Sequence, residues 1–273
     1  MIPDYVTELR FARELAALGA KLAMGHFRRD PEVKQKRDGT WVTEADWKVE
    51  AQIRLRIART FPEHNVLGEE EGLTASGGGE PVAGCPTWVV DPIDGTNNFI
   101  AGIPIWATLI ALRVDGRNVV GAVNAPAIDE AYEAARGAGA RFNGDAISVD
   151  DVDELSDATV VSTGIESFMQ HGLGEFYEDL ATRSYRTRGF ADFWGHALVA
   201  RGAAHVMVES QLHVWDVAPL QVIVEEAGGT LTHLDGREWR DYGSCLSCVP
   251  SLHGQVVELM RRHAPGFSDH PGL

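Results

Sequence analysis

The chain is short of cysteine, of clustered positive charge and of long apolar runs. Three cysteines in 273 residues, Cys85, Cys245 and Cys248, are an odd set far below the density of a secreted disulfide scaffold. The "CLSC" pair at 245–248 has zinc-knuckle spacing, but no second pair accompanies it, so free structural thiols are expected. Lys and Arg number 24 against 40 Asp and Glu, a formal net charge of −16, and no basic run forms a stripe that could track phosphates. That balance argues against nucleic acid and anionic membrane as partners. No apolar run approaches the roughly 20 residues of a membrane span, and the N-terminal stretch lacks a basic segment followed by a long apolar one. A cytoplasmic protein is expected. Internal repeats and low-complexity tracts are missing as well.

A surface this acidic repels small anions unless bound cations reverse the sign locally. The remaining composition, 44% hydrophobic and 23% charged, is that of a globular chain long enough to bury a large core.

Helical spacing of Val6, Leu9, Ala12, Leu15, Ala16, Leu22 and Ala23 predicts a long amphipathic helix from Asp4 to about Phe27, with Met24 read as core. A second helix is expected from about Ala45 to Thr60, burying Val49, Ile53, Leu55 and Ile57. It opens on "TEAD", in which Thr43 caps the helix and Asp46 reaches back. The Gly-rich stretch from Gly72 to Pro86 reads as a surface loop. Strand-like runs follow ("TWVVD", "WATLIALRV", "VVGAVNAP", "EAYEAARG"), with "VDGRN" as a hairpin turn. The acid-rich segment around Asp150 divides the chain into halves, 1–150 and 151–273. The second half is expected to hold helices near Leu173–Arg183, Asp192–Arg201 and Trp215–Ala227, the strand "HVMVE", and a frayed tail, "RHAPGFSDHPGL". Both halves are mixed α/β.

The chemistry concentrates in "WVVDPIDGTNNF" at 88–99. Asp91 ends an apolar run, Pro92 restricts the backbone and Asp94 follows, so two carboxylates can converge at a strand end. Held that close, they repel and favour a shared proton or a cation. Hard oxygen donors suit Mg²⁺, Mn²⁺ or Ca²⁺. Gly95 and Thr96 resemble a helix start whose N–H groups favour an anion. A cation cradle beside an anion cradle outlines a phosphoryl-transfer site. The same residues also suit a plain turn. Glu69 in "NVLGEEEG" and Asp216 in "VWDVAP" are further acids at element ends, each equally readable as an ordinary exposed acid or cap.

"GEE" at 68–70, "DPIDGTNNF" at 91–99 and "WDVAP" at 215–219, in that order, resemble the inositol monophosphatase superfamily of metal-dependent, lithium-sensitive phosphatases, over nearly the whole chain. The resemblance implies a layered αβαβα sandwich of the inositol monophosphatase and fructose-1,6-bisphosphatase type that forms a homodimer, with its site between the halves. It implies one Mg²⁺ held by Glu69, Asp91 and the Ile93 carbonyl, a second held by Asp91, Asp94 and Asp216, and a third, weaker ion near Glu69; Mn²⁺ is a possible substitute. Water is then oriented by Thr96, with Asp46 taking up its proton through the threonine hydroxyl, and the N–H groups of Gly95 and Thr96 hold the phosphate, beside Asp94.

Within the superfamily, "TRGFADFWGHALVARG" and the spacing of Glu209 seven residues before Asp216 most resemble the bacterial histidinol-phosphate phosphatases. Asp192 stands where members acting on inositol phosphate carry a small residue. The implied substrate is therefore a small phosphorylated metabolite, L-histidinol phosphate, in histidine biosynthesis, with Asp192 and Glu209 holding its amino group. Arg188 is a further candidate for substrate contact. Phe190, Phe193 and Trp194 are candidates for lining an imidazole slot, against the commoner role of core aromatics, and His196 and His213 for contacts near the site, against a structural role. Asn97 departs from the lysine of many histidinol-phosphate members, and Pro219 from the usual small residue. The alternatives are an inositol-1-phosphate or broader sugar- or amino-alcohol-phosphate phosphatase of the same fold, and a non-catalytic metal-binding relative.

Overall fold

The computed structural model describes residues 5–29, 32–36 and 39–267. Its first half opens with helix α1 (Val6–Met24), a hairpin of β1 (Val33–Gln35) and β2 (Trp41–Thr43), and helix α2 (Glu44–Thr60). Then come β3 (Asn65–Gly68), β4 (Gly72–Ala75), β5 (Thr87–Asp94), the short helix α3 (Thr96–Ala101), β6 (Ala107–Val114), β7 (Arg117–Ala125), β8 (Glu130–Ala135), β9 (Gly139–Phe142) and β10 (Asp145–Ile147). Strands β3 to β10 form one mixed sheet in the order β10-β9-β8-β7-β6-β5-β3-β4, in which only β3 and β5 pair in parallel.

The second half supplies β11 (Thr159–Ser162), α4 (Ile165–Gln170), α5 (Gly174–Arg183), β12 (Arg186–Arg188), α6 (Asp192–Ala200), β13 (Val206–His213), α7 (Val214–Glu226), β14 (Thr230–Thr232), β15 (Tyr242–Cys248) and α8 (Pro250–His263). Its strands form a five-stranded sheet in the order β12-β11-β13-β15-β14.

The layering follows from which faces are apolar. Strand β6, "ATLIALRV", is buried at six consecutive positions because helices cover both faces of the sheet. On one face, Phe11 and Leu15 of α1 and Val49, Ile53 and Ile57 of α2 pack on Val66, Trp88, Val90 and Ile110. On the other, Phe193 and Ala197 of α6 and Val217, Leu220 and Ile223 of α7 meet Val89, Leu109 and Ala111. Phe176 and Leu180 of α5, with Leu252 and Val256 of α8, close the far face of the second sheet over Val160, Val206 and Leu246. The result is an αβαβα stack; each fully buried Leu, Ile or Phe in it contributes about 1.5–3 kcal/mol of transfer free energy. The middle layer comes very close to the first sheet: a Cβ on Gly121 of β7 would lie 2.2 Å from the Pro219 carbonyl oxygen of α7.

The predicted helices and the four central strands form where expected, and Asp115 and Gly116, with φ of 49° and 76°, make the two-residue β6–β7 turn. Three details differ. Leu55 is 51% exposed, because it lies two residues, or about 200°, round α2 from Ile53. Met24, read as core, is exposed at the last turn of α1. The Gly-rich segment begins as an edge strand: β4 pairs antiparallel with β3 before the chain turns at Gly78 and Gly79. None of the three cysteines is in a disulfide. Of the expected frayed tail, residues 268–273 lie outside the described residues, and helix α8 continues to His263. No described helix is long and apolar enough to cross a membrane.

Candidate active site

In a regular strand Asp91 and Asp94, three residues apart, would point to opposite faces. Here the β5–β6 register shifts between them: Asp91 faces Leu109 and Asp94 faces Ala107, so β5 carries one extra residue. Pro92 sits in that bulge, where no ladder donor is required, and its carbonyl accepts from Thr108 Oγ1 at 2.8 Å. The extra residue turns both carboxylates to the same side. The Ile93 amide donates to Asp91 Oδ1 at 3.0 Å and fixes the turn.

Asp216 reaches the pair from the other half. It occupies the third position of α7, where its Oδ2 accepts from the His213 amide at 2.8 Å. Asp91, Asp94 and Asp216 each offer an oxygen, and these lie within 4.8 Å of one another. Burial, and then the neighbouring carboxylates, push Asp91 and Asp94 well above the ordinary carboxylate range; burial first pushes Asp216 up to about 7. Such an oxygen-only cluster resists carrying its full charge unless a cation is bound, and it is the donor set of a hard divalent cation.

Glu69 follows the end of β3. Its neighbours are placed by a feature the sequence did not disclose: Glu50 of α2, fully buried and paired with Arg54 at 2.8 Å, accepts from the amides of Glu70 (2.8 Å) and Glu71 (3.1 Å). The glycine of "GEE" is required by that approach, because a Cβ on Gly68 would run into the Glu50 carboxylate. Glu69 is the largest charge acting on Asp91. Its own carboxylate, however, is paired with Lys36, whose Nζ lies 2.8 Å from Glu69 and 2.7 Å from Glu70. Lys36 was not singled out in the sequence; a lone lysine in a hairpin gains meaning only when the fold brings it over two glutamates.

The capping box of α2 forms as expected. Thr43 donates to Asp46 Oδ2 through its amide (2.8 Å) and hydroxyl (2.6 Å). Asp46 Oδ1 faces Thr96 Oγ1 at 3.5 Å, and that hydroxyl also donates to the Ile93 carbonyl at 3.0 Å. Burial raises Asp46 to about 6 against the opposing Thr43 hydrogen bonds. The cap of α2 and the start of α3 are thus joined through one carboxylate.

A cavity of about 520 Å³ opens over these groups, lined by Lys36, Trp41, Glu69, Asp91, Ile93, Asp94, Gly95, Thr96, Asp192, Phe193, His196, His213, Trp215 and Asp216. His213 and Trp215 stack with ring centroids 4.9 Å apart and planes 10° from parallel. Asp192 opens α6 with φ of 56°, a left-handed conformation uncommon for a residue with a side chain. The next amide, of Phe193, donates to Asp94 Oδ2 at 2.8 Å. Glu209 lies behind Asp192, 4% exposed, accepting from the Asp192 backbone, and burial raises its carboxyl well above the ordinary range.

Of the three aromatics considered for a slot, Phe193 lines the cavity while belonging to the core; Phe190 is exposed and packs on Trp194, whose indole donates to Glu130 at 3.0 Å. His196 binds Ser247 Oγ through Nδ1 at 2.7 Å, and its buried Nε2 has no hydrogen-bond partner. Arg188 is not brought to the cavity: it lies exposed on β12, with Nη1 on the Thr187 carbonyl at 2.7 Å.

The matching family model is that of the inositol monophosphatase family, over residues 4–264. The chain is 40% identical over 233 residues to a histidinol-phosphatase of Mycobacterium tuberculosis, covering 84% of this chain and 87% of the relative. It is 41% identical over 239 residues to a histidinol-phosphatase of Chlorobaculum parvum, covering 87% and 88%. An inositol monophosphatase of Dictyostelium discoideum is 33% identical over 232 residues, 80% of this chain and 81% of that one. Among solved structures, an inositol monophosphatase of Thermotoga maritima superposes with a TM-score of 0.84 at 29% identity, over 95% of this chain and 99% of that one. A three-acid cluster at a bulged strand end, set in an αβαβα stack and matched along almost its full length, places this chain in the inositol monophosphatase family.

Proposed function

We propose that the protein is a Mg²⁺-dependent phosphomonoesterase that hydrolyses L-histidinol phosphate to L-histidinol and phosphate, the step it would serve in histidine biosynthesis. The observation that carries the substrate is Asp192. It lines the cavity beside the three-acid cluster, with Glu209 buried behind it. Asp192 Oδ2 is held by Asn98 at 2.9 Å, while Oδ1 accepts no hydrogen bond from the described residues. A carboxylate on the leaving-group side suits an alcohol that carries an ammonium group, and an uncharged polyol gains little from it.

The donor set fits the cations. Asp91, Asp94, Asp216, Glu69 and the Ile93 carbonyl would hold two Mg²⁺ ions, with a third near Glu69 and Mn²⁺ as substitute. When bound, these cations neutralise the phosphate and the departing oxygen and make water more acidic. The other roles belong to the chain. The N–H groups of Gly95 and Thr96 donate to the phosphate oxygens. Thr96 orients the attacking water, and Asp46 takes up a proton at Oδ1 through the Thr96 hydroxyl while Thr43 fixes its other oxygen. Asp192 receives the ammonium group at the cavity wall it shares with Asp216, and Glu209 adds its carboxyl from behind without lining the cavity. The same reading takes 1–150 and 151–273 as two halves meeting at the site, in a cytoplasmic homodimer. Light scattering measures the self-association.

The test is phosphate release with Mg²⁺ from L-histidinol phosphate and myo-inositol 1-phosphate side by side, in the wild type and Asp192→Ala. A preference for histidinol phosphate of about 100-fold or more, collapsing in the variant, is expected. Equal or reversed preference, unchanged in the variant, overturns the substrate and points to an inositol or broad-specificity phosphatase.

A further inference from the structure

We infer that Asn98 is a positioning residue for the leaving-group pocket, one that aims the Asp192 carboxylate at a cationic substrate without neutralising it; this rests on the substrate reading above.

Asn98 lies in the first turn of α3, two residues after Thr96 of the phosphate side. Its amide nitrogen donates to two acceptors, the Ile105 carbonyl at 2.9 Å and Asp192 Oδ2 at 2.9 Å. The first bond fixes the amide against the loop that leads into β6, and the second spans 94 residues to the start of α6. Both acceptors also lie close to Gly95: a Cβ there would be 3.0 Å from Ile105 O and 3.4 Å from Asp192 Oδ2. Asp192 Oδ2 is therefore packed into the start of α3, and Oδ1 is left as the acceptor for the cavity.

The choice of an amide has a chemical reason. Asp192 sits in a left-handed backbone conformation, half-buried at the cavity wall, so its orientation needs a fixed partner. A lysine or arginine at position 98 would orient it equally well but would form an ion pair and cancel the charge intended for the substrate. An apolar residue would leave Asp192 Oδ2 without its Asn98 donor. Asn98 supplies one donor and no net charge, so the carboxylate remains available to pair with an ammonium group. Because its backbone lies in the short helix capped by Gly95, Asn98 links the phosphate cradle to the ammonium acceptor through a side chain, alongside the Phe193–Asp94 hydrogen bond.

The experiment compares L-histidinol phosphate with its deamino counterpart, 3-(imidazol-4-yl)propyl phosphate, in wild type, Asn98→Ala, Asp192→Ala and the double variant, all with saturating Mg²⁺. In Asn98→Ala, kcat/KM for histidinol phosphate is expected to fall about ten-fold more than for the deamino ester, chiefly through KM. In the Asp192→Ala background, Asn98→Ala is expected to add no further discrimination, because the residue acts through Asp192. Asn98→Lys is expected to lose the amino preference as fully as Asp192→Ala while keeping the melting temperature of the wild type. Equal losses on both esters in Asn98→Ala, or full additivity in the double variant, overturn the inference and leave Asn98 a structural link between α3 and α6. If Asp192→Ala itself leaves the ratio of the two esters unchanged, it is the substrate reading that fails.

Discussion

Lys36 Nζ lies 2.8 Å from Glu69 Oε1, so a side chain expected to hold a metal ion is satisfied in this structure by a residue of the β1–β2 hairpin. Burial alone would lower the Lys36 pKa, but the charges of Glu69 and Glu70 outweigh it and raise the pKa above the ordinary lysine value. A cation at Glu69 has to compete with that ammonium group. Lys36→Met should therefore tighten Mg²⁺ binding, with half-saturation falling about three- to ten-fold in calorimetric titration. An unchanged or weaker affinity shows that the ion pair does not compete.

Asp94 ties the cluster to α6 through the Phe193 amide, and an asparagine can keep that hydrogen bond through its own carbonyl oxygen. Asp94→Asn should stay folded while turnover drops by about 10³. With one buried carboxylate fewer to repel the others, the metal-free variant should melt no lower than the metal-free wild type, and added Mg²⁺ should raise its melting temperature less. Near-wild-type phosphate release from this variant would refute the assignment of the cluster.

The Asp46 carboxyl, raised to about 6 by burial, must be ionised to accept a proton, so activity should fall as pH drops through that value. The Thr43 hydroxyl stabilises the ionised form at 2.6 Å. Thr43→Val removes this donor, raises the Asp46 pKa further and should move the acid limb of kcat/KM to higher pH. The same change removes the side-chain cap of α2 and should cost about 1 kcal/mol in denaturant melts. A stability loss without displacement of the acid limb would mean that Asp46 only caps the helix.

His196 is buried and neutral, its pKa driven down from 6.5 to about 3 by burial. The unfolded chain takes up a proton there below pH 6.5 and the native protein does not. The stabilising contribution is therefore complete above pH 6.5 and is lost as pH falls toward 3. Measured against His196→Gln, the wild type should lose about 2 kcal/mol more between pH 7 and pH 5. Parallel pH–stability curves would show that the imidazole takes up a proton in the native state.

What could be read in the sequence is what acts locally. The α2 cap needs only Thr43, Asp46 and the residues between them, and the run at β6 announces a strand buried on both faces. Asp91, Asp94 and Asp216 were legible as cluster members because motif order stood in for distance. The bulge that makes Asp91 and Asp94 converge depends on pairing with Leu109 and Ala107, and no local pattern contains that register. Lys36, Glu50 and Asn98 were not legible for the same reason: each acts on partners 20 to 94 residues away. Short strands such as β12 and β14, three residues each, carry too little periodicity to stand out. Leu55 misled because apolar character alone does not specify a face.

The contact between Gly121 and Pro219 joins β7 to α7 backbone against backbone, in the apolar interior. Yet Pro219 is only three residues, about 4.5 Å of helix rise, beyond Asp216. A single methyl group on Gly121 would push α7 off the sheet and carry Asp216 with it, so a substitution in the apolar interior would present as a metal-binding defect. The sensitivity of this enzyme's chemistry to sequence change should therefore extend along β7, where a geneticist looking for active-site alleles would not think to search.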